Sequence, residues 1–168
     1  MLSVTAALAA TAAAAQPLAF DLGEIVVSPN RTPTALARTG ASVSTVAPET
    51  FATAPGGAAA SVLARLPGVS YTPTGPVGSS GTLRIRGADN RYIASFFEGV
   101  RIDDPSSVNV AFNWGALIAP GLGRAEILRG SQSALWGGSA VGGVVNLEAP
   151  RADTDGFAQR VTVEGGGY

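Results

Sequence analysis

The residues best placed to do chemistry in this chain are five charged side chains set among short apolar runs. In TLRIRG, residues 82–87, Leu83 and Ile85 alternate with Arg84 and Arg86, so an extended backbone projects two guanidiniums side by side. In AEILRG, residues 125–130, Glu126 and Leu128 share one strand face while Ile127 and Arg129 share the other, and each face carries one charge. Glu98 closes the apolar run that begins at Ile93. Like charges this close repel unless carboxylates or carbonyls meet them, so the chemistry predicted for Arg84, Arg86, Arg129, Glu98 and Glu126 is ion pairing. In water each such pair contributes about 0–1 kcal/mol. In low-dielectric surroundings each contact strengthens and an unpaired charge becomes costly. Asp103 and Asp104 are two adjacent carboxylates suited to a cation or to acid–base work, but no third ligand or base stands near them in sequence. Capping of the loop that Pro105 opens is therefore the expected role.

Other chemistries lack their residues. The chain contains no Lys, His or Cys, which excludes the phosphate-binding Lys of a P-loop, the Ser-His-Asp and Cys-His triads and the usual zinc sets. With a net charge of −1 there is no basic face for nucleic acid. Ser and Asp are plentiful, but a hydrolase would need a base to activate them. No catalytic residue, metal or cofactor is expected. The absence of Cys leaves the redox compartment open.

The elements that must position the charges are short. A length of 168 residues with 46% hydrophobic content suits one domain, and 22 glycines, nearly double the usual share of about 7%, imply a loop-rich fold. Residues 41–46 alternate small and β-branched side chains and predict a strand; Pro48 starts a brief helix carrying Phe51. Residues 58–66 form the best helix, with Val62, Leu63 and Leu66 on one side and a stop at Pro67-Gly68. Residues 72–80 read as a Pro/Gly/Ser loop, and the segment 93–100 as an apolar strand turning at Glu98-Gly99 into Arg101-Ile102. Residues 113–118 predict one helical turn before Pro120. The charges on both faces of 125–130 suit a sheet whose surroundings are polar all round. GGSAVGG at 137–143 supplies sharp reversals and VVNLE resumes an extended run.

At the N-terminus an Ala-rich apolar run ends in Ala13-Ala14-Ala15, which fits a secretory signal over residues 1–15, although no basic residue precedes Arg31. The alternative is an Ala-rich helix or leader. Too short and too Ala-rich, the run does not hold a bilayer. Glu24-Ile25-Val26-Val27-Ser28 can extend but cannot fold alone, and such a string is either a first structural strand or an edge offered to another sheet.

Taken together, VLARLPGVSYTP, TLRIRGADNRY, FFEGVRIDDPSS and the run from Gly121 to Pro150 resemble, in order and spacing, the plug domain of TonB-dependent outer-membrane receptors, over roughly Asp21 to Arg151. Within that family the chain is most similar to the vitamin B12 receptor branch. Glu98 stands where the family usually has Asp, and Trp136 where Tyr is commoner. The resemblance implies an α+β fold, a small mixed sheet with short helices enclosed in a transmembrane β-barrel supplied by further chain, since roughly twenty strands of ~10 residues need far more residues than these. It divides the chain into a signal (1–15), a TonB-box segment and linker (16–33), the plug (34–151) and the start of a first barrel strand (152–168), where Val161 and Val163 alternate with polar residues. On this basis the chain is expected to be a receptor cut short.

The resemblance further implies that Glu24 to Ser28 is the TonB box, binding the TonB C-terminal domain by β-augmentation. It implies that two loops touch the ligand, through Thr74, Gly75, Pro76, Val77, Gly78 and Ser79, and through Asp103, Asp104, Ser106 and Asn109. The five charges then pair inside the plug or against the barrel wall. The function implied is energised uptake of a bulky nutrient across the outer membrane, a cobalamin-type corrinoid first, a siderophore or haem as the alternative, with the N-terminus in the periplasm. A free periplasmic interaction domain is the rival from another class, and it predicts a cooperative soluble monomer where a plug without its barrel would be loosely folded.

Overall fold

A computed structural model describes residues 25–26, 29–54 and 57–151. The chain runs through β1 (Ile25–Val26), β2 (Thr34–Ala35), β3 (Ser42–Val46), α1 (Pro48–Ala52), α2 (Ala59–Leu63), β4 (Val69–Pro73), β5 (Gly81–Ile85), β6 (Ile93–Phe97), β7 (Val100–Arg101), β8 (Arg124–Arg129), α3 (Ser133–Trp136) and β9 (Gly143–Glu148). A five-stranded mixed sheet in the order β3-β8-β9-β6-β7 organises the whole, with β6 and β9 parallel and the other neighbours antiparallel. Two smaller antiparallel pairs, β1-β2 and β4-β5, accompany it. The α+β class expected of the sequence is the one observed.

Period-2 alternation sorts the sheet into two apolar layers. On one face Val46, Ala125, Ile127, Val145, Leu147 and Ile93 join Phe51 of α1, Val62 and Leu63 of α2, Leu83 and Ile85 of β5, and Trp114 in the main core. On the other, Leu128, Val144, Ala94 and Phe96 meet Trp136 and Ala140 in a smaller cluster, with Val43 at its edge. This overturns the expectation of polar surroundings for 125–130. β8 is an interior strand covered by apolar side chains on both faces, and it carries its charges into them.

The local elements follow their sequence signals with two adjustments. α1 begins at Pro48, where the missing N–H costs nothing, and buries Phe51. α2 is shorter than the apolar spacing suggested, because after Leu63 the chain tightens into i→i+3 bonds from Arg65 to Val62 and from Leu66 to Leu63 ahead of Pro67. The 72–80 loop is shorter too: Thr72 and Pro73 pair with Thr82 and Gly81, Pro73 being tolerated at the end of a two-stranded ribbon.

Candidate functional site

The buried charges on β8 have different surroundings. Glu126 is 1% exposed and its Oε1 accepts from Arg124 Nη2 at 3.2 Å, two residues back on the same strand face. In register it lies between Thr45 of β3 and Asn146 of β9. Arg129 is 7% exposed on the opposite face. Its Nε donates to the Pro67 carbonyl (3.0 Å) and its Nη1 to Ser44 Oγ (2.9 Å), while Nη2 is buried without a hydrogen-bond partner. Burial, and then the neighbouring Arg86, push the Arg129 pKa down, so folding disfavours its charge.

Arg86 adds a second cation to this corner. Its N–H donates to the Gly68 carbonyl at 2.6 Å and its Nη2 to Ser42 Oγ at 3.2 Å. Gly68, at φ 72°, leaves the space beside both arginine stems, for a Cβ there would touch Arg86 Cγ at 3.5 Å and Arg129 Nε at 4.0 Å. Two guanidiniums thus meet hydroxyls and carbonyls, and among the described residues no carboxylate bridges to either. Arg84 lies within β5, half-buried and opposite Ser70 in register, whereas exposed Arg86 follows the strand's end at φ 51°, so the two guanidiniums do not project side by side from one extended strand as expected. Glu98 sits with φ 50° beside Gly99 at φ 77° in the two-residue β6–β7 turn, the left-handed pair of a type I′ turn. Its Oε1 accepts from the Ala149 N–H at 2.6 Å, tying the turn to the end of β9.

The five predicted charges therefore do not pair with one another within the described residues. The pairs present instead include Arg124–Glu126 and Arg101–Asp103 at 2.7 Å. Both are i,i+2 pairs: Arg124 and Glu126 share one face of β8, and Asp103 follows two residues after Arg101 at the end of β7. The physical reason is reach. A neighbour two residues away is already in place, whereas Glu98 and Arg129 extend from different ends of the sheet.

The two predicted loops meet at their bases. Asn113 Oδ1 accepts from the Gly81 N–H (3.0 Å) and from Gly115 (3.2 Å), and a Cβ on Gly115 would collide with the Ser79 carbonyl oxygen. Thr74 closes the first loop by donating through N–H and hydroxyl to the Ser80 carbonyl, at 2.8 and 2.7 Å. Gly75, Pro76, Val77 and Gly78 are exposed, as are Asp104, Ser106 and Asn109 in the second loop. Two residues expected to face outward turn inward. The Ser79 hydroxyl is buried, and the Asp103 side chain, 3% exposed, binds Arg101 and accepts from the Ser95 N–H at 3.3 Å. Asp104 caps its own loop: its Oδ1 accepts from the Ser106 hydroxyl (2.6 Å) and N–H (2.9 Å), and these bonds hold its carboxyl below the usual range.

Of the N-terminal string, Glu24, Val27 and Ser28 lie outside the described residues, as do the signal and the 152–168 strand. Ile25 and Val26 pair with Ala35 and Thr34, and Val26 is buried. The following turn carries Arg31, whose guanidinium stands 4.8 Å from the Trp136 ring centroid; Trp136 packs on Phe96 at 4.6 Å. Nothing in the sequence pointed to Arg31, because a cation–π partner 105 positions away leaves no local signal.

The TonB-dependent Receptor Plug Domain family model matches residues 35–144. The vitamin B12 transporter BtuB of Photobacterium profundum is 32% identical over 142 residues, covering 84% of this chain and 23% of its own length. The chain thus spans about a quarter of that relative. Among solved structures, the alcaligin outer-membrane receptor FauA from Bordetella pertussis superposes with a TM-score of 0.58 at 22% identity, over 76% of this chain and 21% of that one. A mutant of the ferric enterobactin receptor PfeA from Pseudomonas aeruginosa, in complex with enterobactin, gives 0.53 at 25% identity, over 67% and 18%. With a mixed sheet, short helices and a family model spanning most of the described residues, this chain belongs to the plug-domain family of TonB-dependent receptors.

Proposed function

We propose that this plug gates energised uptake of a metal-chelating nutrient through an outer-membrane barrel, with its N-terminus on the periplasmic side after export. The Arg86–Arg129 corner is the observation that carries the reading. A guanidinium that is 7% exposed, beside a second cation and with one buried nitrogen unpartnered, is costly in a chain that stands alone. Carboxylates from a surrounding barrel wall would neutralise both cations and hold the plug in place. The partner at the other end is the TonB C-terminal domain, adding Glu24 to Ser28 to its sheet edge. As Val26 is buried and paired with Thr34, that engagement requires β1 to leave β2.

The transported ligand is a corrinoid on this reading, supported by the 32% identity to a vitamin B12 transporter; a siderophore is the second reading, supported by the fold shared with receptors for iron chelates. The box is tested in the full-length receptor with Val26→Pro, which removes one backbone donor from the added strand. Ligand binding is expected to persist while energised uptake is abolished. Undiminished uptake by that variant would refute the assignment of Glu24 to Ser28.

A further inference from the structure

Resting on the reading of residues 24–28 as the TonB box, we infer that Arg31 is a latch within the plug: seated on Trp136, it holds the β1–β2 ribbon closed and so weakens capture of the box by its partner. The two strands share two residue pairs, Ile25 with Ala35 and Val26 with Thr34. A two-stranded ribbon is marginal in water on its own, so a contact made from its turn carries weight out of proportion to its size. Arg31 makes that contact. It has φ 56°, a left-handed conformation uncommon outside glycine, in a turn braced by Asn30 Nδ2 donating to Thr34 Oγ1 (3.2 Å) and Thr34 Oγ1 to the Thr32 carbonyl (3.1 Å). From this turn its guanidinium stands 4.8 Å from the Trp136 ring centroid, and its Nη1 donates to the Leu135 carbonyl at 3.5 Å.

The seat suits a cation. Arg31, Glu98, Trp136, Asn146, Glu148 and Arg151 border one cavity of about 270 Å³. Trp136, 8% exposed, supplies the aromatic face and is backed by Phe96 at 4.6 Å. The turn that follows it is fastened by Arg101 Nη2, which donates to Ser139 Oγ at 2.6 Å. Two carboxylates stand on the other walls, and Asn146 Oδ1 is buried with no hydrogen-bond partner. Arg151, 72% exposed, meets Glu148 at 3.6 Å and leaves most of its charge in water. An aromatic face among acceptors attracts a guanidinium and repels an anion. Strand addition needs β1 free of β2, so only the open fraction of the receptor binds, and the apparent affinity falls by that fraction. One exposed cation–π contact changes that fraction about two- to fivefold.

The test uses the full-length receptor with Val26→Cys, the only thiol in this chain. Val26 is 0% exposed in the closed ribbon, so its rate of modification by a water-soluble maleimide reports opening. Arg31→Gln should raise that rate about two- to fivefold. Without the cysteine, the same substitution should tighten binding of the TonB C-terminal domain by the same factor, a gain that damage to the fold does not produce. Trp136→Phe keeps a ring in the core and should raise the labelling rate less. The two substitutions together should raise it no more than Arg31→Gln alone, because they remove one contact. Unchanged or slower labelling in Arg31→Gln overturns the latch, as does a double variant whose rate is the product of the single effects. Faster labelling with unchanged affinity, in a receptor where Val26→Pro abolishes uptake, overturns the restraint on capture. Labelling needs no partner, so it decides the latch even if the box reading fails, which shows separately as undiminished uptake by Val26→Pro.

Discussion

Glu126 and Arg129 stand three residues apart on one strand, both almost fully buried, yet their circumstances are opposite. Glu126 has its counter-charge from Arg124 on the same face of the same strand, so the chain satisfies it internally. Arg129, on the other face, has a carbonyl, a hydroxyl and a neighbouring cation but no carboxylate among the described residues. Burial alone therefore does not separate a charge that the fold compensates from one it leaves uncompensated. The sign of the surrounding field does.

The largest effect expected from this contrast is at Arg124. Arg124→Ala removes the counter-charge of Glu126, which is 1% exposed, and should cost about 3–5 kcal/mol in urea unfolding of the chain, as breaking buried pairs does. A loss below about 1 kcal/mol would mean that Glu126 is held by something other than its neighbour. Arg129→Met should behave the other way round. Because the replaced cation is uncompensated, stability of the isolated chain is expected to change by no more than about 1 kcal/mol, while the full-length receptor leaks small solutes as the plug loses its hold on the wall. A large destabilisation of the isolated chain, or a tight barrel, would erase the contrast. The smallest effect belongs to Asp104, an exposed carboxylate satisfied by its own loop. Its folded pKa is lowered by Ser106, so the order it lends the loop is complete above the ordinary carboxylate range and is lost as pH falls through the lowered pKa. Amide chemical shifts of Ser106 and Ser107 followed through an acid titration should show this local change without unfolding. A transition at the ordinary Asp value would remove the cap.

The contrast with the loops is also instructive. Polar residues were the visible signal in 103–109, yet Asp103 is directed inward while Val108 stands fully exposed beside Asp104, Ser106 and Asn109. A polar side chain in a loop is as ready to satisfy the backbone as to face a ligand, and sequence does not distinguish the two uses. The same ambiguity affects Glu98, whose carboxylate clamps the Ala149 amide and is not spent on a guanidinium.

Local order was legible wherever adjacent residues decide it. Pro48 set the start of α1, alternation set β3 and β5, an apolar run set β6, the Glu98-Gly99 pair set a turn, and the helical turn at Trp114 lies in the segment 113–118. The family was legible too, because four ordered blocks carry it and the family model spans the same stretch. Tertiary structure alone decided that β6 and β9 run parallel across 45 intervening residues, that 125–130 becomes an interior strand, and that Arg31 reaches Trp136. These are contacts between residues remote in the chain, selected by which apolar faces can be covered at once, and neither spacing nor composition encodes that choice.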